Sequence, residues 1–170
     1  MASRRSTDPI RARAKSEPGG TKKPSVGVER LLRVSVVLQE ALSLEEQLAH
    51  VLDAAREDVG VDRLLAWAAA PEGDRLIYVA SSGLSEDDRL SLGERTEIAL
   101  AKAGAMANVY RSKTPLVVDE THPLATYSRL KPPYSNIKTL RTKSFVVVPI
   151  IARGRLLGLL VADNKYRRTP

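Results

Sequence analysis

The sequence contains no cysteine, which excludes disulfides, thiolate metal sites and thiol catalysis. Its two histidines, His50 and His122, lie too far apart in the sequence to form a metal-ligand spacing. No apolar run approaches the ~20 residues that a membrane-spanning helix needs. The N-terminus also lacks the apolar segment of a signal peptide. These absences predict a soluble cytoplasmic protein.

Aromatic residues are scarce as well, with one Phe, one Trp and five Tyr among 170 residues. The hydrophobic fraction of 43% is still large enough for a core, so that core must be built mainly from Leu, Val, Ala and Ile. The length predicts a single domain with room for a tail.

The net charge of +7 is unevenly distributed along the chain. Residues 1–25 carry a net +5, residues 26–128 a net −7 and residues 129–170 a net +9. Residues 1–26 contain almost no large apolar side chain, so we expect a disordered basic tail before a domain over residues 27–170. The tail is either a solvated leader or an arm for nucleic acid or an anionic membrane. It lacks aromatic residues that would stack on bases, which argues against nucleic acid.

Two helices are predicted at the start of the domain. Apolar residues recur at three- and four-residue steps over 28–42 and cover a broad arc, which favours dimer contact over packing within the chain. Ser43 and Glu46 have the capping-box spacing that predicts the start of a helix over 44–58. Gly60 is expected to end that helix.

Short β-branched and apolar runs predict strands over the rest of the chain. The predicted strands are residues 62–70, 75–82, 95–100, 115–119, 145–151 and 156–162. A helix is expected over about 102–112, and the acidic segment 86–93 is expected to be a loop or a brief helix. Residues 120–143 form a long insertion, which we interpret as a lid. Asp119, Glu120 and His122 are interpreted as turn formers, because no nucleophile or metal constellation accompanies them.

The last strands carry a family resemblance. This region contains a basic lead-in at Arg141, a strand with Pro149 near its end, a charged turn, Leu-Gly-Leu-Leu-Val and a closing Asp-Asn-Lys. This order of elements resembles the end of a GAF domain. With the upstream elements, the resemblance covers residues 28–168. It implies an α+β fold, an α/β sandwich of GAF/PAS type. Its central antiparallel sheet would have about five to six strands, with helices packed on one face and a long lid loop.

The resemblance also implies a function. Such a domain would be a non-enzymatic sensor or regulatory domain that binds a small molecule or mediates dimerisation, and it would signal to an output module or protein. The homodimer would form through the helix near 28–42. The implied ligand pocket is lined by Trp67, Ser81, Ala105, Met106, Tyr127, Arg141 and Thr142. Strand alternation alone leaves open whether Trp67 faces this pocket or the opposite helices.

The chain departs from the family in two respects. Family members that attach bilins, and those that reduce free methionine sulfoxide, use cysteine, which is absent here. Asn164 and Lys165 match the opening of a motif from cyclic-nucleotide-binding members, which continues with Phe and Asp-Glu on a further helix. Since the chain ends at Pro170, we expect that helix to be missing and Lys165 to lack its acidic partner. The cofactor stays unknown, with a cyclic nucleotide as one option.

The basic residues of the lid and last hairpin have two interpretations. They either attract a small anionic ligand or form a solvated surface that balances the acidic body. These residues are Arg129, Lys131, Lys138, Arg141, Lys143, Arg153 and Arg155. The alternative function is that of a nucleic-acid-associated protein that uses the basic tail and the basic C-terminal quarter.

Overall fold

A computed structural model of the protein describes residue 35 and residues 43–93, 96–119 and 129–167. Ser35 is helical and exposed. The helices with described bounds are α1 (Leu44–Val59), α2 (Glu86–Leu92) and α3 (Ala105–Ser112). The strands are β1 (Arg63–Ala69), β2 (Arg75–Ser82), β3 (Glu97–Ala99), β4 (Leu116–Val118), β5 (Phe145–Ala152) and β6 (Arg155–Asp163). Short 3-10 turns cover Leu100–Lys102, Tyr134–Asn136 and Lys138–Leu140.

The six strands form one sheet in the order β3-β2-β1-β6-β5-β4, and every neighbouring pair is antiparallel. The two predicted hairpins, β1–β2 and β5–β6, are therefore joined through the pairing of β1 with β6. This arrangement confirms the predicted α+β class and the central antiparallel sheet.

The helices divide between the two faces of this sheet. On what we call the outer face, Leu64 and Ala66 of β1 pack with Leu52 of α1. On the inner face, Leu65 and Trp67 belong to the cluster that contains the buried residues of α3. The family resemblance implies helices on one face. At β1 both faces are covered instead, because this strand carries apolar side chains at both alternations, and each set must be buried.

The ends of α1 are those that the sequence predicts. The Ser43 hydroxyl accepts from the backbone N–H of Glu46 at 3.2 Å, and the Glu46 carboxylate accepts from the backbone N–H of Ser43 at 2.8 Å. Gly60 closes the helix in the left-handed region at φ 74°. The capping box and the glycine together satisfy terminal backbone groups that would otherwise lack partners.

The acidic segment after β2 is helical rather than a loop. The Ser85 hydroxyl accepts from the backbone N–H of Asp88, and Glu86, Asp87 and Asp88 form the first turn of α2. Negative charge is favourable at this end of a helix. Asp88 is nonetheless buried, so the helix delivers a carboxylate to the interior.

The second half of the predicted lid covers the inner face; we call residues 129–144 the roof. Leu130, Tyr134, Ile137 and Leu140 pack against the inner cluster. The backbone N–H of Lys131 donates to the Lys102 carbonyl at 3.0 Å. The first half of the predicted lid, residues 120–128, lies outside the described residues, as do residues 1–26 and the helix predicted over 28–42 apart from Ser35.

Candidate functional site

Four of the seven predicted pocket residues lie on the inner face, and three of them belong to one buried cluster. Trp67 is 1% exposed and belongs to the same cluster as Ala105 and Met106 at the start of α3. Its indole packs edge-on against the ring of Tyr78, with the ring centroids 5.7 Å apart. The structure therefore places Trp67 on the side of α3 and the roof, away from α1.

Ser81 reaches the same face because β2 contains a bulge. Ala66 of β1 pairs with Ala80, but Trp67 pairs with Tyr78, so Val79 is an extra residue in β2. The bulge reverses the alternation, and Ser81 therefore follows Tyr78 onto the inner face. Their hydroxyl oxygens are 2.7 Å apart, which forms a half-buried polar pair beside the indole.

Arg141 and Thr142 make their described hydrogen bonds within the roof and its junction with β5. Arg141 donates through Nε to the Ser135 carbonyl at 2.9 Å, and the Thr142 hydroxyl donates to the Ser144 carbonyl at 3.1 Å. Tyr127 lies outside the described residues. The structure thus places Arg141 and Thr142 in the cover of the inner face rather than on the face itself.

The inner face is closed in this conformation. Ala105 and Met106 are 1% and 6% exposed, and apolar side chains of the roof pack on their cluster. An open groove of about 520 Å³ lies at the end of the sheet where the two hairpin turns meet, and none of the predicted pocket residues lines it. Trp67 is therefore inaccessible to a ligand in this conformation.

A buried set of charges, which sequence reasoning missed, lies where β1 begins and β6 ends. Arg63, 1% exposed, donates through Nε and Nη2 to the two carboxylate oxygens of Asp163 at 2.8 and 2.5 Å. Its Nη1 donates to the Thr139 carbonyl at 3.0 Å and lies 3.4 Å from the Asp88 carboxylate. The guanidinium also lies 5.6 Å from the ring centroid of Tyr166. We call Arg63, Asp88, Asp163, Lys165 and Tyr166, with the carbonyls of residues 138 and 139, the polar clamp.

Asp88 is the acidic centre of the clamp. Its carboxylate accepts from Lys165 Nζ at 2.9 Å and from the Tyr166 hydroxyl at 2.6 Å. Burial opposes ionisation of this carboxyl, but the hydrogen bonds from Tyr166 and Lys165 and the charges of Lys165 and Arg63 outweigh burial. They lower the pKa of Asp88 to about 2. For Arg63, burial likewise opposes the charge, but Asp163 and Asp88 raise its pKa overall.

The structure corrects the expectation that Lys165 lacks an acidic partner. The partner is Asp88, 77 residues away on α2. Asn164 accepts through its side-chain oxygen from the backbone N–H of Asp62 at 3.0 Å. Both residues of the Asn-Lys pair therefore hold the chain after β6 against the domain, and their contacts give no support to a nucleotide site. The sequence signal for the polar clamp was Arg63, at the start of an otherwise apolar strand, because a buried cation requires buried anions.

The described residues contain no group of histidine and acidic side chains suited to a metal ion. His50 is exposed on α1, and His122 lies outside the described residues. Among the helices with described bounds, none is long and apolar enough to cross a membrane.

Comparison with known proteins agrees with this architecture. The family model of the GAF domain matches residues 43–170. A methyl-accepting chemotaxis protein structure is similar at 24% identity and a TM-score of 0.67, covering 80% of each chain. The GAF domain of an Acinetobacter phosphoenolpyruvate-protein phosphotransferase is 19% identical with a TM-score of 0.64, covering 84% of this chain and 80% of that one.

A third similar structure is an enzyme. Free methionine-R-sulfoxide reductase from Neisseria meningitidis, in complex with its substrate, is 22% identical with a TM-score of 0.57, covering 86% of this chain and 78% of that one. No match is found among curated proteins. At these identities the structural likenesses establish the fold. The family model, however, spans most of the sequence, and the chain therefore belongs to the GAF domain family.

Proposed function

We propose that this chain is a non-enzymatic sensor domain that binds a small molecule on the inner face, beneath the roof. The observation that carries the proposal is the apolar cluster of Trp67, Tyr78 and Met106, with the hydroxyl pair of Tyr78 and Ser81 beside it. Small-molecule sites are mostly apolar with a few convergent polar groups. This composition suits a ligand with an apolar or ring-shaped body and one hydrogen-bonding group.

Charge on the roof favours an anionic ligand. Arg129, Lys131, Lys138, Arg141 and Lys143 are all exposed within this one segment. Cations that surround a cleft raise the local concentration of anions. A carboxylate or phosphate group on the ligand would therefore point toward the roof while its apolar body contacts Trp67.

The absence of cysteine supports a regulatory role over an enzymatic one. One structural relative is a methionine sulfoxide reductase, and by family resemblance that chemistry uses cysteine, which this sequence does not contain. We propose that ligand binding is instead reported to an output module or partner protein.

We propose that the reporting unit is a homodimer formed through residues 28–42. Val117, Val148 and Ile150 are exposed on the outer face, on the β4–β5 side of the sheet. This apolar strip favours coverage by a further apolar segment. Native mass spectrometry of Leu38→Glu should show loss of the dimer. The control is Arg33→Glu, on the polar side of the same predicted helix, which should keep it. A monomeric wild-type chain would exclude this dimer.

The ligand proposal is tested by native mass spectrometry of the gently purified full chain. We expect a discrete adduct of small-metabolite mass that the paired variant Tyr78→Phe with Ser81→Ala loses. The control, Ser91→Ala, removes an exposed hydroxyl from α2 and should keep the adduct. If the wild-type chain carries no adduct, a metabolite library is screened by thermal shift. The proposal fails if no compound stabilises the wild-type chain more than the paired variant.

A further inference from the structure

The segment that follows β6, residues 164–167, which we call the exit segment, is held mainly by polar contacts. The backbone N–H groups of Tyr166 and Arg167 donate to Asp62 Oδ2 at 2.8 and 2.7 Å. The Tyr166 hydroxyl, which donates to Asp88, also accepts from the backbone N–H of Ser85 at 2.9 Å. The Tyr166 residue is 46% exposed. Hydrogen bonds and charges, rather than apolar burial, therefore fix the position of this segment.

The same contacts hold the roof. Lys165 Nζ donates to the Lys138 carbonyl at 2.9 Å while it pairs with Asp88. Arg63 donates to the Thr139 carbonyl, and the Thr139 hydroxyl donates to the Asp88 carbonyl. Lys165 thus bridges the exit segment, the roof and α2 through a single ammonium group.

Other described hydrogen bonds anchor the roof away from the clamp. The Tyr134 hydroxyl accepts from the backbone N–H of Ala99 at 3.2 Å, and Lys131 bonds to the turn before α3. The roof is therefore attached to β3 and the turn before α3 on one side and to the polar clamp on the other. Opening on the clamp side takes the Thr139 carbonyl away from Arg63 and the Lys138 carbonyl away from Lys165. Loss of a hydrogen bond to a buried charged group is unfavourable.

We propose that the roof and the exit segment are coupled through Lys165 and Asp88, so that release of either one loosens the other. This inference deepens the proposed function, since a roof displaced by ligand would signal to whatever follows Arg167. Coupling between two sites is reciprocal in free energy. Displacement of the exit segment by an output partner would likewise open the roof.

The test is amide hydrogen exchange on the ligand-free full chain. Lys165→Met keeps most of the aliphatic length but removes the charge. We expect the amides of Leu140 and Arg141, which close the second roof turn, to exchange at least about tenfold faster. The matched control is Arg167→Met, since Arg167 contacts Asp62 and the Gly60 carbonyl rather than the roof. It should leave roof exchange within about twofold of the wild-type rate.

The reciprocal experiment changes a roof residue and measures exchange in the exit segment. Thr139→Val removes the hydroxyl that donates to Asp88 with little change of volume and should raise exchange at the amides of Lys165 and Tyr166. Thr142→Val is the control, because the Thr142 hydroxyl donates to the Ser144 carbonyl at the junction with β5 and has no described bond to the polar clamp. Confinement of each effect to the roof and the exit segment supports the coupling.

Three results would overturn the inference. They are unchanged roof exchange in Lys165→Met, an equal increase in Arg167→Met, or a uniform increase that includes the central strands β1 and β6. Because no ligand is present, the exchange result does not depend on whether the inner face binds a small molecule. An adduct without coupling and coupling without an adduct are therefore distinguishable outcomes.

Discussion

Replacement of Asp88 by asparagine should be the most informative single change in this domain. The polar clamp contains two anions, Asp88 and Asp163, and two cations, Arg63 and Lys165. Arg63, Asp88 and Asp163 are only 1–5% exposed, so water hardly reaches them. Asp88→Asn preserves side-chain shape but leaves two cations facing one anion. Removing one member of a buried ion pair typically costs about 3–5 kcal/mol. We expect a loss of about 3 kcal/mol in the free energy of unfolding at pH 7, near the low end of that range.

The sign of the pH dependence follows from the pKa of Asp88. That pKa is about 2 in the folded protein and has a usual value of 3.8. The ionised carboxylate therefore contributes stability that is fully present above pH 4 to 5 and is lost as the pH falls toward 2. The full shift corresponds to about 2 kcal/mol, and about half of it is lost at pH 3. The stability difference between wild type and variant should narrow by about 1 kcal/mol between pH 7 and pH 3.

The assay is urea unfolding followed by tryptophan fluorescence, since Trp67 is the single tryptophan and is buried. Asp87→Asn is the control, because Asp87 lies in the same helical turn but is exposed, and its replacement should change stability by less than about 0.5 kcal/mol. At each pH, we compare the difference in unfolding free energy between wild type and variant, because the contributions of other groups that titrate in this pH range then cancel. An Asp88→Asn variant as stable as wild type at pH 7, or a stability gap that does not narrow in acid, would refute the reasoning.

Three further predictions concern local structure, each checked by urea unfolding. Gly83→Ala should cost about 3 kcal/mol, because Gly83 has φ +77° and an added Cβ would collide with the Asp62 carbonyl. Gly154→Ala, at φ +74° in open space, should cost only about 1 kcal/mol, and equal costs would refute the steric argument. Ser43→Ala should cost about 1 kcal/mol through loss of the helix cap, and an unchanged stability would show that the cap is not formed in solution. Arg75→Met should leave the urea midpoint almost unchanged because its ion pairs are exposed, and a clear loss of stability would contradict this view of the sheet edge.

Local features of the fold were predictable from the sequence because they depend on near neighbours. Ser43 and Glu46 are three residues apart, and their reciprocal hydrogen bonds define the start of α1. Gly154 lies at positive φ in the β5–β6 turn, as its sequence context indicates. The distribution of helices between the two faces was not predictable. Leu64 and Leu65 are equally apolar, and nothing in their alternation says which helix will cover which face.

The candidate site likewise depends on features that the sequence does not reveal. Simple alternation along β2 from Leu76 would place Ser81 on the outer face, and a one-residue bulge at Val79 reverses this. Such a bulge leaves no clear mark in the sequence. The pairing of Lys165 with Asp88 joins residues far apart in the chain, and spacing rules of helices and strands describe only neighbours along one element.

The composition of the polar clamp fits a contact that must be specific as well as stable. Well-packed apolar residues can replace buried ion pairs at little or no cost in stability, so stability alone does not explain why charges occupy this position. Charges differ from apolar residues in requiring their partners at defined distances, as Asp88 does for both Lys165 and Tyr166. A clamp that served stability alone would show parallel effects in unfolding and in exchange throughout the sheet. Loosening confined to the roof and exit segment would instead identify the clamp as the link between them.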